Sequence, residues 1–167
     1  MIKIIHRMEW FVGLVFLQVL VLNHMHIGGY ATPFFYIYFI LKFNSRISRN
    51  NLMLWAFSLG LVVDVFGNTP GLNAAAATCL AFFRTSIMRL VTLRDMDEGF
   101  RPGVKTLGFS SFVRYGLLTS GLFCSLLWII DAFSFFNWAE LLLKILSSTV
   151  STVLCMLCAE FLGRKKG

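Results

Sequence analysis

A chain of 167 residues that is 57% hydrophobic and only 14% charged is not an ordinary soluble domain, in which about a quarter of the residues carry charge. Eighteen phenylalanines and several long apolar runs point to lipid as the solvent, with room for one domain of six spans of about 20 residues each and short loops between them. The net charge of +7 is therefore read as membrane topology, not as a nucleic-acid-binding surface.

Residues Trp10 to Leu41 contain no Asp, Glu, Lys or Arg. One helix of that length would overshoot a bilayer, whose hydrocarbon of about 30 Å takes about 20 residues. Turn chemistry at Gly28, Gly29 and Pro33 divides the run. The first span is expected over about residues 7–25, retained in the membrane because no clear cleavage site follows it. The second, short and aromatic, is expected over about 30–43. A basic connection with Lys42, Arg46 and Arg49 leads to a third span over about 52–66.

A break at Gly67-Asn68-Thr69-Pro70 follows. Thr69 is suited to cap the next helix and Pro70 to be its first residue, which places the fourth span at about 70–91. The stretch Thr92 to Thr106 is the hydrophilic loop. The fifth and sixth spans are expected over about 107–130 and 138–162. The fold class is thus all-α, a polytopic membrane protein of six helices.

With both termini placed in the cytoplasm, the inner segments hold Lys3 and Arg7; Lys42, Arg46 and Arg49; Arg84, Arg89, Arg94, Arg101, Lys105 and Arg114; and Arg164, Lys165 and Lys166. Only Lys144 is left for the outer half, a strong positive-inside bias. Arg84 and Arg114 lie within helix ends and are expected to snorkel to the interface. Glu140 with Lys144, and Glu160 with Arg164, have the spacing of helical ion pairs.

Asp64 is the residue with the most to explain. A carboxylate at the centre of a span costs about 2.5–3.5 kcal/mol on insertion scales. It needs a partner, water or a proton. The nearest donors are Asn68, Thr69 and the free amides that begin the fourth span, whose positive end suits an anion. These donors favour a structural tie over a ligand or proton site. Gly67 and Gly71, Gly71 and Ala75, and Ala77 and Ala81 stand at four-residue steps, the spacing at which small residues let helices approach in lipid. That serves internal packing and partner docking alike.

Other chemistry is thin. Cys79, Cys124, Cys155 and Cys158 all sit in apolar runs, which argues against a disulfide framework and makes the Cys155-x-x-Cys158 pair an inert one. His24 and His26 are too few to form a metal site alone. No nucleophile elbow, zinc-protease helix or phosphate loop is present. Neither a cofactor nor an enzymatic activity is expected.

The segment Gly60-Leu-Val-Val-Asp64-Val-Phe-Gly67-Asn68-Thr69-Pro70-Gly71-Leu-Asn-Ala74 resembles the MreD family, the rod-shape-determining membrane proteins of bacteria. That family has a Gly-Leu-x-x-Asp segment, a break and a Gly-Leu/Val-x-Ala helix start, matched here by Gly60, Leu61, Asp64, Gly71 and Ala74. Many members have Pro-Leu-Gly before the helix, where this chain has Pro70-Gly71 directly. Length, six-span topology and the small extramembrane share agree over the whole chain. The resemblance implies a non-enzymatic part in cell elongation and peptidoglycan synthesis at the bacterial inner membrane. It implies as partners an MreC-like membrane protein, an MreB-like filament, a RodA-like glycosyltransferase and a penicillin-binding transpeptidase. It also implies a fold similar to the substrate-binding subunits of vitamin transporters. The alternative function is accordingly capture of a vitamin-like solute, with His24, Asn68, Asn73 and Asp131 as candidate pocket residues.

Overall fold

The computed structural model describes residues 11, 13–16, 18, 32–92, 99–132 and 138–164, with side chains for all of these except 132, 163 and 164. Its elements are α1 (Ile37–Leu41), α2 (Arg49–Gly67), α3 (Leu72–Val91), α4 (Val104–Leu107), α5 (Phe109–Ala132) and α6 (Trp138–Arg164). The described part is all helical and contains no strand. The four long helices α2, α3, α5 and α6 are each long and apolar enough to cross a membrane. Each turns most of its surface outward. Leu54 and Val65 on α2, Phe82 and Phe83 on α3, Leu117 and Leu118 on α5, and Leu146, Val150 and Leu154 on α6 are all exposed. That outward apolar coat is stable only against hydrocarbon.

Four of the expected spans correspond to these helices, with shifted ends. Helix α2 begins at Arg49 instead of Leu52 because Ser48 caps it, its hydroxyl accepting from the Asn51 amide. Helix α5 begins at Phe109 because the short α4 ends at Gly108, whose φ of 81° breaks the helical path. The first expected span, 7–25, lies mostly outside the described residues; those described within it are helical.

The second expected span is where the structure departs most from the sequence reading. Of residues 32–43, only Ile37–Leu41 are α-helical, and five residues cannot cross a bilayer. The segment instead runs through the interior of the bundle, with Phe34 to Leu41 all buried. Its apolar side chains pack inward: Phe34 and Tyr36 meet Phe123 edge-on, and Phe39 meets Phe11 and Phe43.

Its backbone is satisfied by side chains. The Phe34 amide donates to Thr152 Oγ1 at 3.0 Å and the Thr32 amide to Ser148 Oγ at 3.3 Å. Gln18 donates to the Pro33 carbonyl and accepts from the Tyr36 amide. Irregular backbone at membrane depth is tolerated only where protein buries and bonds it in this way. The aromatic run therefore reads like a span in sequence because it is buried on all sides.

Arg84 also differs from expectation. It does not snorkel: the whole residue is buried. Its guanidinium donates to the carbonyls of Leu41 and Phe43 and, through Nε, to Tyr115 Oη at 3.1 Å. Leu41 and Phe43 lie at the C-terminal end of α1, where unpaired carbonyls carry partial negative charge. The charge is held by backbone dipoles. Arg114, by contrast, is exposed as expected.

One end of the bundle collects the basic loops. Asn44 donates to the Gly99 carbonyl, and the Ser45 amide donates to that of Phe100. Glu160, near the end of α6, takes Lys42 at 2.7 Å, Tyr38 Oη at 2.6 Å and the Val104 amide at 3.0 Å. Glu160 thus binds across the fold to two segments, α1 with its C-cap and the start of α4; the side chain of its sequence-expected partner, Arg164, lies outside the described residues. At the other end of α6, Glu140 and Lys144 form the expected pair at 2.9 Å.

Replacing Arg84 with Leu removes the donor for two buried carbonyls and a buried phenol. The substitution is expected to cost about 1–3 kcal/mol, read as a lower midpoint in denaturant unfolding of the detergent-solubilised protein followed by tryptophan fluorescence.

Candidate functional site: a carboxylate clasp between two helices

The break between α2 and α3 is built from three local choices. Asn68 ends α2 in the left-handed region at φ 53°, and its amide donates back to the Asp64 carbonyl; asparagine tolerates that conformation better than most side chains. Thr69 also donates its amide to the Asp64 carbonyl. Gly71 takes φ 81°. No atom lies within 4 Å of where its Cβ would be, so the glycine is required for backbone conformation and not for space.

After that turn, the first amides of α3 point back at α2. Asp64 lies in the last turn of α2 and is buried, 5% exposed. Its Oδ1 accepts from Thr69 Oγ1, the Asn73 amide and Asn73 Nδ2, all at 2.9 Å. Its Oδ2 accepts from the Ala74 amide, also at 2.9 Å. A carboxylate offers about four acceptor sites, two on each oxygen; here three donors converge on Oδ1 and one reaches Oδ2. The pairing uses the positive end of α3 as an anion seat and at the same time satisfies amides that would otherwise be orphaned. Asp64, from the preceding helix, supplies the cap.

That explains why Thr69 and Pro70 do not start the helix as expected. Helix α3 begins at Leu72, with Gly71 at the cap position and no local side chain capping it. The Thr69 hydroxyl is turned to Asp64 as a donor. Asp64 lies three residues before the end of α2, near the end of its span, as the expected bounds of 52–66 placed it, and not at its centre.

Gly60 lies one helical turn before Asp64 and shares its face. A Cβ there would sit 2.5 Å from Ala74 Cα and 2.6 Å from both Ala74 N and the Asn73 carbonyl oxygen. Backbone touches backbone at this point, which brings the α3 amides within reach of the carboxylate. Gly60, Asp64, Thr69 and Ala74 therefore form one unit, while Gly67, Asn68, Pro70 and Gly71 form the turn that presents it.

The small-residue steps are only partly upheld. Gly67 and Gly71 are not on one helix, and Gly71 and Ala75 are exposed. The buried small residues of α3 are Ala74, Ala76, Ala77 and Ala81, of which only the Ala77–Ala81 step was expected.

Two participants escaped the sequence reading. Asn73 donates to both Asp64 and Thr69 through Nδ2, and its Oδ1 accepts from Tyr36 Oη at 2.8 Å. Tyr36 ties the clasp to the buried central segment. A polar residue two positions into a predicted helix start is a usable signal for Asn73; nothing local marks Tyr36.

The arrangement holds two helices and a central segment together. Both carboxylate oxygens are engaged by the protein's own donors, and among the described residues no three His, Cys, Asp or Glu side chains gather as a metal site. None of the four cysteines forms a disulfide. His24 and His26 lie outside the described residues. No protein-family model, curated protein or solved structure matches the chain.

Asp64→Asn keeps the shape but sets an amide N–H₂ against donors. It is expected to cost about 1–3 kcal/mol. Thr69→Val is expected to cost about 1 kcal/mol alone and much less in the Asp64→Asn background, a coupling that a double-mutant cycle of unfolding free energies measures. Gly60→Ala is expected to cost at least as much as typical overpacking, about 1–3 kcal/mol, because the clash is with backbone.

Proposed function

We propose that this chain is a non-enzymatic scaffold of the bacterial cell-elongation machinery, a polytopic protein of the inner membrane that binds other membrane proteins. The observation that carries the reading is the four-donor clasp at Asp64. An intramembrane carboxylate is by default a functional candidate, and here both of its oxygens are already hydrogen-bonded by the protein itself. Of the residues that resemble the MreD family, Gly60, Asp64, Gly71 and Ala74 serve that one hairpin, while Leu61 is exposed. What they specify is a rigid two-helix unit and not a reacting group.

The gathering of Lys42, Arg46, Arg49, Arg101 and Lys105 around one end supports a cytoplasmic orientation for that end. The partners are an MreC-like membrane protein, with an MreB-like filament, a RodA-like glycosyltransferase and a penicillin-binding transpeptidase in the same assembly. Solute capture is less well supported, since Asn73, one of its candidate pocket residues, is bonded on both sides within the clasp.

Affinity capture of the tagged full-length chain from native bacterial membranes tests the reading. Recovery of an MreC-like protein with wild type, and its loss with Gly60→Ala while the variant still inserts in the membrane, is the expected result. Recovery of transporter ATPase subunits, or thermal stabilisation by a vitamin, would replace this reading with the transport one.

A further inference from the structure

Helix α2 has its first residue, Arg49, at the basic end of the bundle. The close approach of Gly60 to Ala74 sets the antiparallel register of α2 against α3. Counting eight residues from that contact in each direction places Phe82 opposite Leu52, about one helical turn deeper than Arg49. Arg49 leans inward by that distance. Its guanidinium carbon lies 4.8 Å from the centroid of the Phe82 ring, well inside the range of a cation–π contact.

Phe82 and Phe83 are both exposed on the outer surface and meet edge-on at 5.1 Å. Arg49 is exposed too, and among the described residues no carboxylate pairs with it. Helix α2 has 19 residues, a rise of about 28 Å, close to the hydrocarbon thickness. Arg49 is therefore at the hydrocarbon boundary, with a ring holding its charge at that level.

We propose that Arg49 and Phe82 form a seat for the phosphodiester of an anionic phospholipid. The ring fixes the guanidinium in the plane where headgroup meets acyl chain, and Phe83, edge-on to Phe82, offers the apolar wall beside it. Around this seat the described charged side chains are overwhelmingly basic. Arg46, Arg89, Arg101, Lys105 and Arg114 are at this end, and Glu160, the one described acid there, is paired with Lys42. Asp95, Asp97 and Glu98 lie outside the described residues. An anionic lipid is the occupant that matches both the charge and the depth. A free phosphate matches only the charge, and an acidic protein would have to meet the rings in hydrocarbon.

The test is lipid titration of the purified full-length chain in neutral detergent, with bound lipid counted by native mass spectrometry. Phosphatidylglycerol is the probe and phosphatidylcholine the comparison. Wild type is expected to bind the first phosphatidylglycerol several-fold tighter than phosphatidylcholine. Arg49→Gln is expected to weaken phosphatidylglycerol roughly fivefold, the effect of one basic side chain close to an anionic surface. Phe82→Leu, which keeps the charge and removes the ring, is expected to weaken it by a smaller factor. Lys144→Gln, at the other end of the bundle, leaves it unchanged.

Equal binding of the two lipids by wild type overturns the proposal, as does an Arg49→Gln protein with wild-type preference. Displacement of phosphatidylglycerol by millimolar inorganic phosphate overturns it as well, since the site would then recognise a free anion. Should Arg49→Gln fail to fold, Phe82→Leu decides alone: undiminished preference in that variant refutes the seat.

Discussion

The fold depends on how one carboxylate is held at a place where water is scarce. Asp64 meets the amide-rich start of the next helix at four points of 2.9 Å each, and each side of the contact removes a liability from the other. An anion without donors would be expensive in hydrocarbon, and so would helix-start amides without acceptors. Held together, they make α2 and α3 behave as a single body. The contact needs backbones to touch, so it also needs a glycine at 60 and an alanine at 74. From this pair the remaining packing is hung, with Tyr36 reaching the clasp through Asn73.

The same logic recurs for the central segment. Residues 32–43 leave regular helix for more than half their length, and six of the backbone groups there bond to side chains: to Thr152, Ser148 and Gln18 on one side and to Arg84 on the other. Hydroxyls on α6 do double duty, with Thr152 accepting from Phe34 while donating to the Ser148 carbonyl of its own helix. Such back-bonding keeps a hydroxyl satisfied in an apolar setting and still leaves a lone pair for another segment. The interior of this bundle is therefore an apolar, aromatic-rich core threaded by hydrogen-bonded polar groups.

At the basic end, opposite charge is used sparingly. Glu160 collects Lys42, Tyr38 and the start of α4, binding two separate parts of the chain to α6 at one carboxylate. The basic residues around it stay outward. Among the described residues this distribution concentrates exposed basic side chains at one end of the bundle.

Composition and periodicity determined much of this. Long apolar runs make four membrane-length helices inevitable, whatever they pack against, since solvent alone selects them. The isolated Asp64 beside a Gly-Asn-Thr-Pro-Gly break was legible too, because its donors are local in sequence. So was the Glu140–Lys144 pair, one helical turn apart. What sequence could not decide is anything set by segments far apart in the chain. The run 32–43 is as apolar as a span because interior and lipid select the same side chains, and only tertiary structure tells the two apart. Arg84 reads as a snorkelling residue until the C-terminal end of α1 is placed beside it. Glu160 has an eligible partner four residues on, yet bonds to residues more than fifty positions away. Hydrophobicity is a property of single residues and survives in a list. A hydrogen-bond partner is a property of position, and it exists only once the helices have met.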